Sequence, residues 1–376
     1  MMGDLPIFKI GHLELNVLLG GMGVGVSGAN LASAVAEEGG GGVIASVGLG
    51  LLKGYFDAEF ESAMKRGDFN KLSGGGKRDL QNKIYARANS DALADEIRKA
   101  RQKTNGVIGV NIMHALTDYP SLVETSIREN ADLIICGAGI PRDLPSYLNG
   151  KNILLVPIVS SARVARMILK AWTHLGHPPD AIVFEGPKAG GHLGYSLEQL
   201  GDSDFVSFGL ERILAEVINE VGPNIPIIAA GGIYTGKDIY DTLKLGASGV
   251  QMATRFVTTK ECDADEEFKQ TYIDAHEEDI HIIKSPVGMP GRAIMNNFLE
   301  TVENKRVRFK CDYDCLKSCN PSASPYCIAE ALINAQKGKM EKGFAFAGTN
   351  AWRATEIISV KELFKALKEE YNSVCG

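Results

Sequence analysis

From about residue 13 to residue 257 the chain alternates short, β-branched apolar runs with longer stretches of helical period, and this alternation leaves few folds open. Repeated strand-helix units put their strands parallel and bury both faces of the sheet, so the strands read as short continuous apolar runs. Eight such runs occur, at Leu13–Leu19, Gly42–Val47, Gly106–Ile112, Ala131–Cys136, Asn152–Val156, Ala181–Phe184, Ile225–Ala230 and Gly249–Ala253. Between them lie helix candidates at Ala29–Glu38, Asp91–Lys103, Leu122–Asn130, Ala162–Thr173, Phe208–Val221 and Gly236–Leu245, with small or polar residues near their starts. Eight units predict an α/β fold of the (β/α)8, or TIM barrel, type, which takes up about 250 residues. The expected organisation is a barrel over residues 1–257, with an insertion after strand 2 at about 50–90, and a Cys-containing C-terminal extension over 258–376 that packs on the barrel.

Composition narrows the function rather than the fold. Hydrophobic residues make up 45% of the 376-residue chain and charged residues 23%, enough for an ample core. The formal net charge of -6 offers no broad basic field, which argues against nucleic acid and anionic membrane as partners and for a small-molecule substrate. The most apolar early stretch, Leu13 to Val26, is interrupted by Glu14, Asn16 and glycines, so it reads neither as a spanning helix nor as a secretory segment. Seven cysteines, an odd number unevenly spread, do not form the framework of a small secreted domain. A cytoplasmic protein is expected, with a homodimer as one assembly open to it. In the insertion, six Lys and Arg residues flank Gly74, Gly75 and Gly76; a solvated helical excursion with a flexible glycine turn is preferred there over a mobile lid.

Barrel chemistry is assembled from the loops that follow the strands. After the sixth strand candidate comes Glu185-Gly186-Pro187-Lys188-Ala189-Gly190-Gly191-His192, in which small residues let a flat ligand approach the backbone and His192 is suited to proton exchange near neutral pH. Gly231-Gly232 at the end of the seventh, and Gln251-Met252-Ala253-Thr254 at the end of the eighth, sit where barrels commonly hold a phosphate on backbone N–H groups. Gly20-Gly21-Met22-Gly23 after the first strand looks like part of a dinucleotide fingerprint, but the next strand lacks the acidic residue that fingerprint requires, so it reads as backbone lining the face of a ring.

These segments, with Gly109-Val110-Asn111 on the third strand and Gly249 through Phe256 on the eighth, resemble the nitronate monooxygenase (2-nitropropane dioxygenase) family and the related FMN-dependent enoyl-acyl-carrier-protein reductases. The motifs occur in family order over about two thirds of the chain. The resemblance implies FMN, with its ring near Gly20, Gly21, Met22, Gly23 and Asn111, and its phosphate on Gly231, Gly232, Gln251, Met252, Ala253 and Thr254. It implies His192 as the catalytic residue, flanked by Gly190 and Gly191, with Glu185 orienting the loop or a flavin hydroxyl. The implied activity is oxidation of alkyl nitronates with oxygen. Reduction of an enoyl thioester with NAD(P)H as reductant is the alternative, and a barrel that binds a phosphorylated ligand without redox chemistry is a further one.

The extension carries Cys311, Cys315, Cys319 and Cys327. A spacing of four puts the first three on one face if they lie on a helix, which would permit thiolate ligation. Their spacing matches neither common zinc sites nor ferredoxin runs, and the turn-forming segment Asn320–Pro325 is expected to carry Cys327 away. The expectation is therefore ordinary packing and no metal. Trp352 and Arg353, before an amphipathic helix at Val360–Tyr371, are expected to staple the extension down.

Overall fold

The computed structural model describes residues 4–70, 72–311 and 313–375. Eight parallel strands form the barrel: β1 (Leu18–Leu19), β2 (Gly42–Ala45), β3 (Ile108–Met113), β4 (Leu133–Gly137), β5 (Leu154–Val159), β6 (Ile182–Glu185), β7 (Ile227–Ala230) and β8 (Gly249–Met252). Each pairs with its sequence neighbour, β8 pairs with β1 through Gln251 opposite Leu18, and a parallel bridge from Leu18 to Gly41 joins the two ends. Side chains such as Leu18, Ile44, Val110, Ile134, Val156 and Val183 are fully buried, as a barrel filled by its own side chains requires.

The first strand candidate is two pieces. Leu13–Leu15 pairs antiparallel with Phe8–Ile10, and only Leu18–Leu19 enters the barrel. Asn16 makes the break: its side chain donates to the Glu38 carbonyl at 2.8 Å and its N–H to that of Gly39 at 3.2 Å, which turns the chain between the pieces. The hairpin closes the barrel floor. Its Gly11 turn lies against Leu154 and the Phe8 ring against Gly249, the first residues of β5 and β8.

The insertion is helical, at Leu49–Leu52, Tyr55–Lys65 and Gly74–Lys103. The glycines read as a flexible turn instead form the first turn of a 30-residue helix. Initial helical N–H groups lack intrahelical partners in any case, and the apolar residues beyond them fix the helix. Its second half buries Ala92, Leu93, Ile97 and Ala100 against the barrel, while the first half packs Ile84, Tyr85 and Ala88 with Phe56 and Phe69 in a small satellite core. Other helices start where their caps dictate. The helix expected from Phe208 begins at Ser203, because the Asp202 carboxylate accepts from the N–H groups of Asp204 and Phe205 at 2.9 and 3.1 Å.

The strand-helix rhythm does not end at residue 258. The last helix, Val360–Asn372, packs against the helices Gly236–Lys244 and Ala29–Glu37 and so occupies the eighth helix position of the barrel wall. Residues 258 to 359 are accordingly held between β8 and its own helix. They contain helices at Glu266–Ile273, Asn297–Asn304 and Ile328–Gln336, and an antiparallel pair, β9 (Ile280–Lys284) and β10 (Pro290–Ile294). No helix among the described residues is long and apolar enough to cross a membrane.

Closure by the last helix is tight. A Cβ on Gly236 would lie 2.2 Å from the Leu367 carbonyl oxygen, and the Gly236 N–H donates to Glu370 at 2.7 Å. Gly236→Ala should lower stability by about 1–3 kcal/mol, as overpacking does. Gly75→Ala, with nothing within 4 Å of its added carbon, should raise stability by up to about 1 kcal/mol. Thermal unfolding of the two variants should move the midpoint in opposite directions.

Candidate active site

The loops at the C-terminal ends of the strands enclose a cavity of about 270 Å³. Every expected site residue lines it: Gly20, Gly21, Met22 and Gly23 after β1, Asn111 on β3, Glu185, Gly190, Gly191 and His192 after β6, Gly231 and Gly232 after β7, and Gln251, Met252, Ala253 and Thr254 at the end of β8.

The glycines are small because neighbours demand it. A Cβ on Gly21 would lie 2.3 Å from that of Asn111, and one on Gly20 would lie 2.9 Å from that of Ala253. Gly231 and Gly232 take φ values of +93° and +86°, a region that favours glycine. The resulting turn leaves the N–H groups of Gly232 and Ile233 without a protein partner among the described residues, and the same holds for the Thr254 N–H. The buried Gln251 side-chain oxygen is also unpartnered. Unsatisfied buried donors and acceptors are costly. Their convergence on one cavity marks a place built for a polar, anion-bearing ligand.

Opposite this turn, the loop after β6 is tied to the segment beyond residue 258. Gly191–His192 pairs antiparallel with β10, Gly191 opposite Arg292 and His192 opposite Gly291. The buried Arg292 guanidinium donates to the carbonyls of Pro187 and Ala189, each at 2.6 Å. Burial lowers its pKa to about 10, which still leaves it charged at neutral pH. Thr349 N–H donates to Lys188 O at 3.2 Å, and Gly190 lies so close to Ala347 and Gly348 that a Cβ there would clash with their backbone.

His192 Nε2 is 2.7 Å from Ser285 Oγ, and its ring lies 4.9 Å from that of Phe346. Burial pushes the imidazole pKa down to about 4, so the ring is neutral near pH 7. Nδ1 has no partner among the described residues. Glu185 shows the opposite response to the same dry setting: burial raises its carboxyl to about 7. Burial alone accounts for the rise.

Ser285 and Arg292 were not legible as site residues, since each sits far along the chain with no motif around it. Trp352 and Arg353 do not line the cavity. Trp352 is partly exposed, and Arg353 stacks over the Tyr234 ring at 5.0 Å, which anchors the segment. Among the described residues the cysteine run from 311 to 319 is not helical, and Asn320, Pro321 and Pro325 beyond it impose turns. Those turns reverse the chain and return Cys327 to the other three rather than carrying it away: the N–H groups of Ala323 and Ser324 donate to Asn320 O, and all four cysteines line one small cavity.

The nitronate monooxygenase family model matches residues 6–370. The chain belongs to that family. It is an oxidoreductase, as its family is. A probable nitronate monooxygenase of Staphylococcus aureus is 33% identical over 248 residues, 56% of this chain and 67% of that protein. A (3aS,4S,5R,7aS)-5-hydroxy-7a-methyl-1-oxo-octahydro-1H-indene-4-carboxyl-CoA dehydrogenase of Mycobacterium tuberculosis is 27% identical over 300 residues, 80% of this chain and 68% of that one. Against the dehydrogenase of the same name from Rhodococcus jostii, the match is 27% over 212 residues and spans only 54% of the relative's length. Among solved structures, FabK from Thermotoga maritima superposes with a TM-score of 0.71 at 25% identity, covering 97% of this chain and 95% of that one.

The buried Glu185 sets a pH test. Its pKa is about 7 when folded against an ordinary 4.5, so the folded state holds this proton more tightly than the unfolded chain. Stability of the ligand-free protein should fall as pH rises from about 4.5 to about 7 and then level off. Glu185→Gln should flatten this window and unfold at a higher temperature than wild type at pH 8. An equal difference between the two proteins at pH 5 and pH 8 would show that the carboxyl is solvated.

Proposed function

We propose that the cavity holds FMN and that the protein oxidises an alkyl nitronate or a related carbon acid, with oxygen as the final acceptor. The observation that carries this reading is the pairing, across one cavity, of unpartnered backbone donors at Gly232, Ile233 and Thr254 with a neutral, cavity-lining His192. The donors fit the FMN phosphate. The glycine run Gly20–Gly23 and Asn111 fit the ring, which needs backbone close to its face, and the free Gln251 carboxamide supplies a polar contact. When bound, FMN supplies two-electron chemistry that side chains lack.

His192 handles the substrate's polar end. A neutral imidazole carries one N–H and one lone pair, and Ser285 engages Nε2, which leaves Nδ1 for a ligand. If the Ser285 hydroxyl donates to Nε2, Nδ1–H donates to a nitro oxygen; in the other tautomer Nδ1 accepts a proton from carbon. Protonation near neutral pH, the behaviour expected of an ordinary histidine, is suppressed here. The dry wall formed by Phe344, Phe346 and Ala347 excludes water around the reacting carbon.

A second reading is favoured by one observation. On the side of the insertion and of residues 258 to 359, the cavity continues along Tyr85, Leu116, Leu316, Ile328 and Leu332, an apolar wall larger than a short nitronate needs. That wall suits an acyl chain. Reduction of an enoyl thioester with NAD(P)H would use the same site, in keeping with the similarity to FabK and to proteins named as CoA-thioester dehydrogenases.

Anaerobic mixing separates these readings. A nitronate should bleach the flavin, with colour returning on admission of oxygen; bleaching by NADH or NADPH, with turnover of an enoyl thioester, would move the assignment to the second reading. Protein that is colourless and takes up no FMN would discard both.

His192→Ala should keep FMN and lose about 10²–10⁴-fold in turnover, the usual share of a general acid or base. Because activity needs the neutral ring, kcat/KM of the wild type should stay free of a histidine-dependent fall down to about pH 5 and drop only as pH approaches about 4. A histidine-dependent limb near pH 6.5 would contradict the burial described above. Gly232→Asp should expel FMN while the barrel still folds, since a carboxylate would repel the phosphate. Stoichiometric flavin in that variant would move the phosphate to another turn.

A further inference from the structure

Cys311, Cys315, Cys319 and Cys327 lie within one irregular stretch of chain. The segment is docked on the loop after β3: Thr117 N–H donates to Cys315 O at 3.2 Å, Lys317 N–H to Ala115 O at 3.0 Å, and Leu116 bridges Leu316. Arg78 of the insertion helix holds Asp314 at 2.7 Å. These contacts fix a surface segment that has little regular structure of its own.

All four thiols line a small cavity of about 10 Å³, closed by Phe309, Tyr326 and Ile328. None is in a disulfide. A buried cysteine that packs as a small hydrophobe fills space, whereas four thiols around a void forfeit dispersion contacts on the side they share. They are mutual electrostatic neighbours: Cys315 is influenced by the other three, and Cys319 and Cys327 by Cys311.

The void is no larger than one water, so any larger occupant must spread the thiols that line it. Zinc draws four sulfurs to about 2.3 Å from one point, and among the described residues no three Cys, His, Asp or Glu side chains are grouped to hold one metal ion. An iron–sulfur cluster takes four cysteine thiolates spread around a wider centre. We propose that Cys311, Cys315, Cys319 and Cys327 ligate an iron–sulfur cluster. Cys315 and Ile328 line both this cavity and the larger one that contains His192, so the cluster lies in the wall of the active site. A centre in that position is placed to exchange single electrons with a redox group bound in the larger cavity. The site itself does not rest on the flavin assignment.

The full-length protein should be purified without oxygen and reconstituted with ferrous iron and sulfide. Iron and acid-labile sulfide are expected in equal amounts, about two or four of each per chain, with a paramagnetic signal after dithionite reduction. Cys319→Ser and Cys327→Ser should each lose most of the iron, while Cys375→Ser, an exposed thiol outside the group, should keep it. Circular dichroism establishes that each variant is folded; if the cluster ligands prove necessary for folding, the metal content of the wild type decides. One zinc per chain, no bound iron after reconstitution, or full iron in both folded cysteine variants would overturn the proposal.

Discussion

The active site depends on one buried cation. Arg292 reaches across from β10 and holds the carbonyls of Pro187 and Ala189, residues more than a hundred positions earlier in the chain. A guanidinium out of water is expensive, and hydrogen bonds to fixed carbonyl dipoles recover part of that cost. The same strand pairs with Gly191–His192, so the loop after β6 is held at both ends. Without this clamp, a loop with four glycines among the eleven residues from Phe184 to Gly194 would sample many conformations. The position of the His192 loop is thus set by a segment inserted between β8 and its helix, while the barrel supplies the platform.

The dry cavity explains why two titratable groups shift in opposite directions. Burial disfavours charge on either, lowering the pKa of His192 and raising that of Glu185. Between about pH 4 and about pH 7 both are neutral. A ligand's own charge then has little competition from these side chains, and the turn at Gly231–Gly232 can receive an anion through backbone donors alone. The cavity thus separates two kinds of polar group: backbone donors at one turn, and one neutral ring across from it.

Much of this was legible from local patterns. The barrel strands announced themselves as short apolar runs, and the glycines beside Asn111, Glu185 and Gln251 marked the rim, because tight approach of backbone leaves a compositional trace. The wall helix Val360–Asn372 was visible as an amphipathic stretch, yet its place in the barrel was not, since a hundred residues intervene between it and β8. Ser285 and Arg292 left no trace at all. Their roles arise from contacts at long sequence separation, and a serine or an arginine in a β-strand region has many ordinary uses. Gly74–Gly76 misled in the other direction: three glycines suggest a turn, but a helix nucleated by the residues beyond them extends into its own first turn.

The segment between β8 and its helix does more than close the site. Its aromatic residues Phe298, Tyr326, Phe344 and Phe346 form a continuous edge-to-face and stacked cluster that runs from His192 to the edge of the cysteine cavity. Tyr326 belongs to that cavity's wall and Phe346 to the contact with His192, so the two sites share one packed unit. Densely packed interiors transmit displacement poorly into empty space and well into contact. A change in the volume enclosed by the four thiols would first meet Tyr326, two ring contacts away from the Phe346 that lies against His192.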